Sequence, residues 1–282
     1  MDLWYTEKQT ENMGLSLKVN AVLHRETTPY QELAVLDTVQ YGRMLVLDGM
    51  VQTTEKDEYV YHEMITHVAM YTHPNPRRVA VVGGGDGGAV REILKHSSVE
   101  KVVLAEIDEA VIEAARRYLP SISSALDDPR VDIMVGDGIA HIKARRGAYD
   151  VVIVDSTEPV GAAVGLFSRE FYQAIYEALT EDGVLVAQTE SPIVNASLIE
   201  QSFRHIRGIF PISRLYLACV PTYPTGLWSF SLGAKKYDPL QVDFQARQRV
   251  PAVYYNPDVH RAAFALPNFV RDLIEEPEEA AR

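Results

Sequence analysis

Cysteine is almost missing from this sequence of 282 residues, which contains a single one, Cys219. One cysteine cannot form a disulfide within the chain, which is typical of proteins from a reducing compartment, and we expect a cytoplasmic location. Long apolar runs are also missing, since none approaches the roughly 18 residues of a membrane-spanning helix. The N-terminal residues lack a basic stretch followed by an apolar one, so we expect no secretory signal and no membrane partner.

Basic residues are in the minority. The chain has 27 lysines and arginines against 39 aspartates and glutamates, which gives a formal net charge of -12. Such a charge disfavours the phosphate backbone of nucleic acids as a partner and favours the approach of cationic substrates. The length and a hydrophobic fraction of 47% allow one large domain, or a large and a small one.

The first fifty-odd residues have the features of antiparallel β-structure. Asp48-Gly49, between two apolar segments, is a strong signal for a two-residue hairpin turn. No helical periodicity of useful length precedes residue 57, so we predict a small N-terminal antiparallel β-domain over residues 1–56. Its predicted strands cover residues 16–24, 32–37, 44–47 and 50–54.

From residue 57 onward, helical and strand-like patterns alternate. Short and continuously apolar strands follow amphipathic helices, which is typical of a parallel sheet with helices on both faces. We therefore predict an α/β catalytic domain with a doubly wound sheet over residues 57–282. Its predicted strands cover residues 79–82, 101–105, 131–135 and 149–154, and its predicted helices cover residues 57–73, 89–96 and 109–118.

Polar signals stand directly after the predicted strands, and the carboxyl ends of parallel strands meet at the edge of a sheet where ligands bind. The glycine-rich turn Gly83–Gly88 allows backbone N–H groups to approach a ligand at a helix N-terminus. Glu106 is placed to accept hydrogen bonds from ribose hydroxyls, and Asp137 to accept one from an adenine amine. Each signal alone also fits an ordinary turn or strand end. Together they predict an adenosyl site, without separating NAD from S-adenosylmethionine.

The acid within the glycine turn, Asp86, narrows the choice of ligand. A carboxylate at this place repels a pyrophosphate or the carboxylate of a methionine group. It attracts a ligand that ends in a bare ammonium, so the turn selects by repulsion as well as by attraction.

A ligand related to S-adenosylmethionine carries an alkyl group on a sulfonium, which is a good leaving group. Transfer of this alkyl group to an amine requires neither a metal nor a covalent intermediate. An alkylamine with a pKa of about 10 is almost wholly protonated at neutral pH, so the site needs a carboxylate that takes the proton. Asp155, after the fourth predicted strand, is the best candidate, although a turn or N-cap role also fits. Glu158 is placed to hold an ammonium, and Tyr61, His62 and Tyr223 suit a cationic chain.

Seven short segments, spread over nearly the whole chain, form a specific combination. They are Leu3-Trp4-Tyr5, Leu47-Asp48-Gly49, Thr54-Glu55-Lys56-Asp57-Glu58, Tyr61-His62-Glu63, Gly83–Gly88, Asp155-Ser156-Thr157 and Pro221-Thr222-Tyr223-Pro224. With them the chain resembles the spermidine synthase (polyamine aminopropyltransferase) family. The resemblance implies an N-terminal β-domain, a Rossmann-like catalytic domain of the methyltransferase type, and a homodimer or homotetramer. It also implies transfer of the aminopropyl group of decarboxylated S-adenosylmethionine, a co-substrate, to putrescine, giving spermidine and methylthioadenosine without a cofactor or metal.

By position, the resemblance also implies roles for individual residues. Asp155 would accept the proton, and Asp86 would hold the ammonium of the aminopropyl group. The nucleoside would contact Gln31, Gly83, Gly85, Glu106, Asp137, Gly138 and Ala162, and the amine channel would be lined by Tyr61, His62, Ser156, Thr157, Glu158 and Tyr223.

Two positions depart from the family pattern and leave alternatives open. Ala162 stands in a predicted lid where proline is common, and Ile193 stands where tryptophan is common. The latter change keeps open a rival acceptor such as agmatine, cadaverine or spermidine. A methyltransferase of this fold would usually lack an acid at Asp86. A silent polyamine-binding protein would not need Asp155 together with Asp86 and Tyr61.

Overall fold

Two β-sheets organise the chain. The computed structural model describes residues 2–157 and 161–275, and for residues 161 and 162 it describes the backbone only. One sheet has five strands and the other has seven. Within these ranges, none of the helices is both long enough and apolar enough to cross a membrane.

The N-terminal sheet is an antiparallel meander in which each strand pairs with the next along the chain. Asp48 and Gly49 have φ angles of 48° and 81°, as the predicted tight hairpin turn requires, and Leu47 pairs with Met50 across it. Our prediction missed the first strand, which alternates polar and apolar residues only irregularly. The five strands are β1 (Leu3–Thr10), β2 (Met13–Thr27), β3 (Glu32–Thr38), β4 (Gly42–Leu47) and β5 (Met50–Thr54).

The seven-stranded sheet forms the core of the rest of the chain. Its central strands are buried on both faces because they carry uninterrupted apolar runs, such as Val79 to Val82 and Val151 to Val154. The strands are β6 (Arg78–Gly83), β7 (Lys101–Glu106), β8 (Val131–Val135), β9 (Tyr149–Asp155), β10 (Leu179–Gln188), β11 (Ile212–Cys219) and β12 (Leu227–Ala234), in the order β11-β12-β10-β9-β6-β7-β8.

The predicted parallel sheet is confirmed for β6 to β10, whereas the β11–β12 edge is antiparallel. Residues 220–226 connect β11 to β12, and a connection this short joins only antiparallel neighbours. Strand β6 lies between β7 and β9, so the chain reverses its direction of winding at β6. This reversal opens a crevice beyond the ends of these strands.

Helices cover the seven-stranded sheet. The three predicted helices are confirmed in position, with ends that differ by at most two residues. The helices are α1 (Glu58–Thr72), α2 (Gly88–Leu94), α3 (Glu109–Tyr118), α4 (Pro120–Ser123), α5 (Gly138–Lys143), α6 (Arg169–Ala178), α7 (Ala196–Arg207), α8 (Pro257–Ala263) and α9 (Asn268–Ile274), and short 3₁₀ helices cover Gly161–Phe167, Pro239–Gln241 and Phe244–Ala246.

The N-terminal sheet packs against α3 and the turn after it. Leu33, Val35 and Leu45 of the sheet form a buried cluster with Val111 and Leu119. This apolar contact brings the β2–β3 loop and the β4–β5 turn to the carboxyl ends of β6, β7 and β8.

Candidate active site

A cavity lies where the N-terminal sheet meets the carboxyl ends of the parallel strands. Its volume is about 190 Å³. Every predicted site residue whose side chain the structure describes lines it. These residues are Gln31, Tyr61, His62, Gly83, Gly85, Asp86, Glu106, Asp137, Gly138, Asp155, Ser156, Thr157 and Tyr223.

The glycine turn allows β6 to lie against the end of β9. Gly83 and Gly84 have φ angles of 78° and 70°, in the left-handed region that favours glycine. A Cβ atom on Gly84 would lie 2.6 Å from Oδ2 of Asp155, and one on Gly83 would collide with the backbone of Asp155. The missing side chains therefore give the Asp155 carboxylate its place beside the turn.

Glu106 ends β7 at the wall of the cavity. Its carboxylate accepts hydrogen bonds from the backbone N–H groups of Gly85 (3.1 Å) and Asp108 (2.9 Å). Burial raises the pKa of Glu106 to about 7, although these N–H groups oppose the shift. The cavity thus presents Glu106 as a fixed acceptor for hydroxyl groups.

Asp137 has a structural role in addition to its place at the cavity. Its Oδ1 accepts hydrogen bonds from the N–H groups of Ile139 (2.8 Å) and Ala140 (3.1 Å), and so caps α5. The residue after it, Gly138, packs so closely on Val82 that a Cβ atom would lie 2.6 Å from a methyl carbon. The missing side chain of Gly138 therefore lets α5 begin close against the end of β6.

Gln31 reaches the cavity from the N-terminal sheet. Its amide donates a hydrogen bond to Oδ2 of Asp108 (2.9 Å), which also accepts one from the hydroxyl of Thr28 (2.8 Å). Asp108 caps α3 through its other oxygen. Sequence reasoning missed Asp108, although its place two residues after Glu106 at a strand end was a usable signal.

Four polar side chains meet at the inner end of the cavity. The hydroxyl of Tyr61 donates a hydrogen bond to Oδ1 of Asp155 (2.6 Å). One oxygen of Asp86 accepts a bond from the N–H of Gly88 (2.8 Å), and the other lies 3.3 Å from Nε2 of His62. Ligand atoms of His62, Asp86 and Asp155 all lie within 4.8 Å of one another, a spacing that also suits a metal ion. The expectation that no metal binds here stays a prediction.

Burial and the neighbouring Asp86 raise the pKa of Asp155 to about 6, against the opposing effects of the His62 charge and the Tyr61 hydroxyl. A carboxylate with this pKa is ionised at neutral pH and is a stronger base than an exposed aspartate. Asp155 is therefore suited to take a proton from a bound cation.

His62 was predicted to line the amine channel, and it does lie in the cavity wall. Its ring is already bonded on both sides, since Nδ1 donates to Oε2 of Glu58 (2.6 Å) and Nε2 faces Asp86. Burial disfavours the charged ring, but the two carboxylates outweigh it and hold the pKa of His62 well above its usual value.

A smaller second cavity of about 30 Å³ adjoins the first. The two share a wall that includes Tyr61, Ser156 and Tyr223. The Ser156 hydroxyl is buried without a hydrogen-bond partner among the described residues. Tyr223 donates its hydroxyl to the carbonyl of Gln52 (2.6 Å), so its ring, rather than its hydroxyl, faces the site.

The inner wall of this second cavity carries a carboxylate that the sequence did not reveal. Glu190 is fully buried and has a φ of 72°. Its side chain accepts hydrogen bonds from the amides of Gln188 (3.2 Å) and Asn195 (2.9 Å). Glu7, also buried, and Trp228 complete the wall.

Three further positions were named from the sequence. Glu158 is outside the described residues, and the side chain of Ala162 is not described, so both contacts stay predictions. Ile193 is 58% exposed and lines neither of these two cavities, and its effect on the choice of acceptor stays a prediction.

Two family models match the chain: the spermine/spermidine synthase domain over residues 58–246, and the spermidine synthase tetramerisation domain over residues 3–55. The polyamine aminopropyltransferase of Moorella thermoacetica is 60% identical over 277 residues, which cover 98% of each chain. The protein of the same name from Thermoanaerobacter sp. strain X514 is 58% identical over 276 residues, which cover 98% of this chain and 100% of that protein.

Solved structures of the same family also resemble this chain. A spermidine synthase in complex with the transition-state analogue AdoDATO has a TM-score of 0.92 at 44% identity, covering 96% of this chain and 94% of that chain. The spermidine synthase of Thermotoga maritima has a TM-score of 0.91 at 44% identity with the same coverage. The Rossmann-like, methyltransferase-type fold is thereby confirmed, and the chain belongs to the spermine/spermidine synthase family of polyamine aminopropyltransferases.

Proposed function

We propose that the protein is a spermidine synthase, which transfers the aminopropyl group of decarboxylated S-adenosylmethionine to putrescine and releases methylthioadenosine. One observation carries the proposal. Two carboxylates, Asp86 and Asp155, line a nucleoside-sized cavity, and this cavity shares a wall with a second one that is lined by the buried Glu190. Such a line of acids suits a sulfonium substrate with a primary ammonium and an acceptor with an ammonium at each end.

The first cavity supports the choice of donor. Glu106 and Asp137 supply acceptors for the ribose hydroxyls and the adenine amine, and Gln31 closes the cavity from the N-terminal sheet. Asp86 supplies a negative charge where intact S-adenosylmethionine would bring its own carboxylate. Two like charges at this place disfavour intact S-adenosylmethionine and so argue against a methyltransferase.

The proposed reaction is a direct displacement. The acceptor nitrogen loses one proton to Asp155 and attacks the methylene carbon bonded to sulfur. A carbon–nitrogen bond forms while the carbon–sulfur bond breaks, and the sulfur keeps the electron pair and becomes the neutral thioether of methylthioadenosine. The hydrogen bond from Tyr61 fixes the Asp155 carboxylate in the orientation that receives the proton. The displacement needs no cofactor, and decarboxylated S-adenosylmethionine serves as co-substrate.

The second cavity supports putrescine as the acceptor. Its volume of about 30 Å³ exceeds the roughly 10–15 Å³ that one water molecule needs by only a small factor. A cavity of this size suits the end of a short diamine better than an additional aminopropyl or guanidino group. Acceptors such as spermidine and agmatine are disfavoured on this ground.

We also propose that the protein assembles as a homo-oligomer, a homodimer or homotetramer. The N-terminal sheet exposes large apolar side chains in its first two strands, including Trp4 (57% exposed) and Val22 (54%). Apolar side chains in such numbers on one small sheet are typical of an interface. The match of residues 3–55 to a tetramerisation domain supports the same surface.

The test of the proposed function is a panel of substrates with product analysis by mass spectrometry. We expect methylthioadenosine and spermidine from decarboxylated S-adenosylmethionine and putrescine, with slower turnover of cadaverine, agmatine and spermidine. If another acceptor is turned over fastest, that acceptor would replace putrescine as the proposed substrate. Methyl transfer from intact S-adenosylmethionine would indicate a methyltransferase, and polyamine binding without any product would indicate a silent binding protein.

The substitution Glu190→Gln tests the second cavity. Hydrogen bonds to charged groups contribute about 1.5–3 kcal/mol, so we expect kcat/KM for putrescine to fall about 10- to 100-fold. n-Butylamine, which lacks the second ammonium, is the matched control and should keep its lower wild-type kcat/KM. Steady-state kinetics with both amines decides the result, because an equal loss for both would make Glu190 a structural residue.

A further inference from the structure

A row of buried, charged side chains extends from the inner end of the active site into the protein. Nε2 of His62 lies 3.3 Å from Asp86, and Nδ1 lies 2.6 Å from Glu58. The same Oε2 of Glu58 accepts a hydrogen bond from Nη2 of Arg91 (2.7 Å). Arg91 is held in turn by Oε1 of Glu92 and by the carbonyl of Ser121.

This row is well suited to hold a charge in place and poorly suited to conduct a proton. The side chains of His62 and Glu58 are 2% and 9% exposed, and their partners fix both of them. The guanidinium of Arg91 stays protonated in proteins, so it interrupts any proton path beyond Glu58. What the row does provide is a rigidly oriented imidazolium beside the two acids of the active site.

The position of this imidazolium has a direct consequence for the chemistry. Asp86 and Asp155 repel one another, and this repulsion makes Asp155 harder to ionise. The charge of His62 acts against the repulsion. If His62 were neutral, the repulsion from Asp86 would be less opposed, and the Asp155 carboxylate would be harder to ionise.

We propose that Glu58 and Arg91 are positioning residues for aminopropyl transfer, which hold His62 as an oriented imidazolium and thereby keep the Asp155 carboxylate ready to accept a proton. The proposal rests on the proposed function and on the role of Asp155 in it. Glu58 and Arg91 touch neither cavity, so they act through His62 alone. The structure also makes room for the ring, because a Cβ atom on Gly88 would collide with it.

The groups that set the charge state of this cluster come from several elements. Helix α1 contributes Glu58, Tyr61 and His62, and α2 contributes Arg91 and Glu92. The turn after β6 contributes Asp86, the end of β9 contributes Asp155, and the segment after β11 contributes Tyr223.

The test compares the pH dependence of kcat/KM among Glu58→Gln, His62→Gln and the double variant. Glu58→Gln removes one of the two carboxylates that keep His62 charged, so Asp155 becomes harder to ionise and the acidic limb moves upward by about one pH unit. His62→Gln removes the imidazolium itself and should shift the limb at least as far, and the double variant should shift it no further than His62→Gln, because Glu58 acts on Asp155 through the charge of His62. Arg91→Gln should shift it in the same direction by less.

Glu63→Gln is the matched control. Glu63 is another buried glutamate of the same helix, but it accepts bonds from the N–H groups of Val253, Tyr254 and Tyr255. We expect this variant to lower the melting temperature and to leave the acidic limb in place. A shift in Glu63→Gln equal to that in Glu58→Gln, or additive shifts in the double variant, would overturn the proposal.

A second readout does not depend on turnover. In protein labelled with ¹³C-histidine, the resonance of His62 is identified by its absence in His62→Gln. We expect it to titrate well above about 6.5 in the parent protein and at lower pH in Glu58→Gln. An unchanged titration in Glu58→Gln would overturn the proposal even if the variant were inactive. Failure of the parent protein to turn over any diamine would refute the proposed function, and the titration would still decide whether Glu58 controls the charge of His62.

Discussion

Asp155→Asn is expected to lower kcat by about 100- to 10,000-fold, the usual contribution of a positioned general base. The amide has nearly the shape of the carboxylate, and it accepts the hydrogen bond from Tyr61 as the carboxylate does. It cannot take a proton from an ammonium. The acceptor amine would therefore stay protonated and without a free electron pair, and the displacement would lose its nucleophile. Single-turnover measurements of methylthioadenosine release give the rate of the chemical step directly.

The pH profile of the parent enzyme provides an independent check of this role. Burial and Asp86 raise the pKa of Asp155 to about 6. In the proposed reaction Asp155 acts only when it is deprotonated. Activity should therefore be complete above this pH and fall as the pH drops through about 6. Asp155→Asn should lose this limb and keep its small residual activity across the same range.

Asp150→Asn is a suitable control for the damage that any such change does to the fold. Asp150 is a buried aspartate in the same strand, at the end remote from the cavity, where it accepts bonds from the N–H groups of Arg77 and Arg78. We expect its substitution to lower stability and to leave kcat nearly unchanged. Calorimetry should give a nucleoside affinity for Asp155→Asn within a few-fold of the parent value, since Glu106 and Asp137 remain. A large loss of nucleoside affinity would contradict the role of Asp155 as a base.

The sequence predicted those parts of the site that follow from one regular feature, the parallel strand. Gly83, Glu106, Asp137 and Asp155 each end or follow a strand, and parallel strands bring their carboxyl ends to one edge. Their separation along the chain therefore did not matter. Prediction of the strands was enough to predict that these residues meet.

The parts that the sequence did not reveal depend on contacts without such regularity. Glu190 follows β10, but its side chain enters the second cavity only through a left-handed backbone conformation that no local pattern indicated. Glu7 arrives from the N-terminal sheet, whose position is fixed by packing against α3. The pairing of His62 with Glu58 matches the helical spacing of four residues, yet the sequence does not show that both are buried. Burial strengthens the interaction between the two charges, and burial depends on the whole fold.

Asp86→Asn should change the preference of the site for its donor more than any other single change. The carboxylate of Asp86 lies at the inner end of the first cavity, where the proposed ligand carries a bare ammonium. With about 1.5–3 kcal/mol for a hydrogen bond to a charged group, we expect the Kd of decarboxylated S-adenosylmethionine to rise about 10- to 100-fold. Intact S-adenosylmethionine, whose carboxylate would no longer be repelled, should bind as well as before or more tightly. Calorimetric titration of both ligands measures the change in preference.

Methylthioadenosine is the ligand control for this prediction, because it has the nucleoside but no ammonium. Its affinity should be unchanged in Asp86→Asn, since the amide oxygen still accepts the bond from the N–H of Gly88. Asp137→Asn is the variant control: it alters the adenine side of the cavity and should weaken all three ligands by the same factor. If Asp86→Asn weakened the binding of all three ligands equally, Asp86 would shape the turn and would not bind the ammonium of the ligand. Weaker binding of decarboxylated S-adenosylmethionine together with tighter binding of intact S-adenosylmethionine would make this one carboxylate the source of donor selectivity, through attraction of one ligand and repulsion of the other.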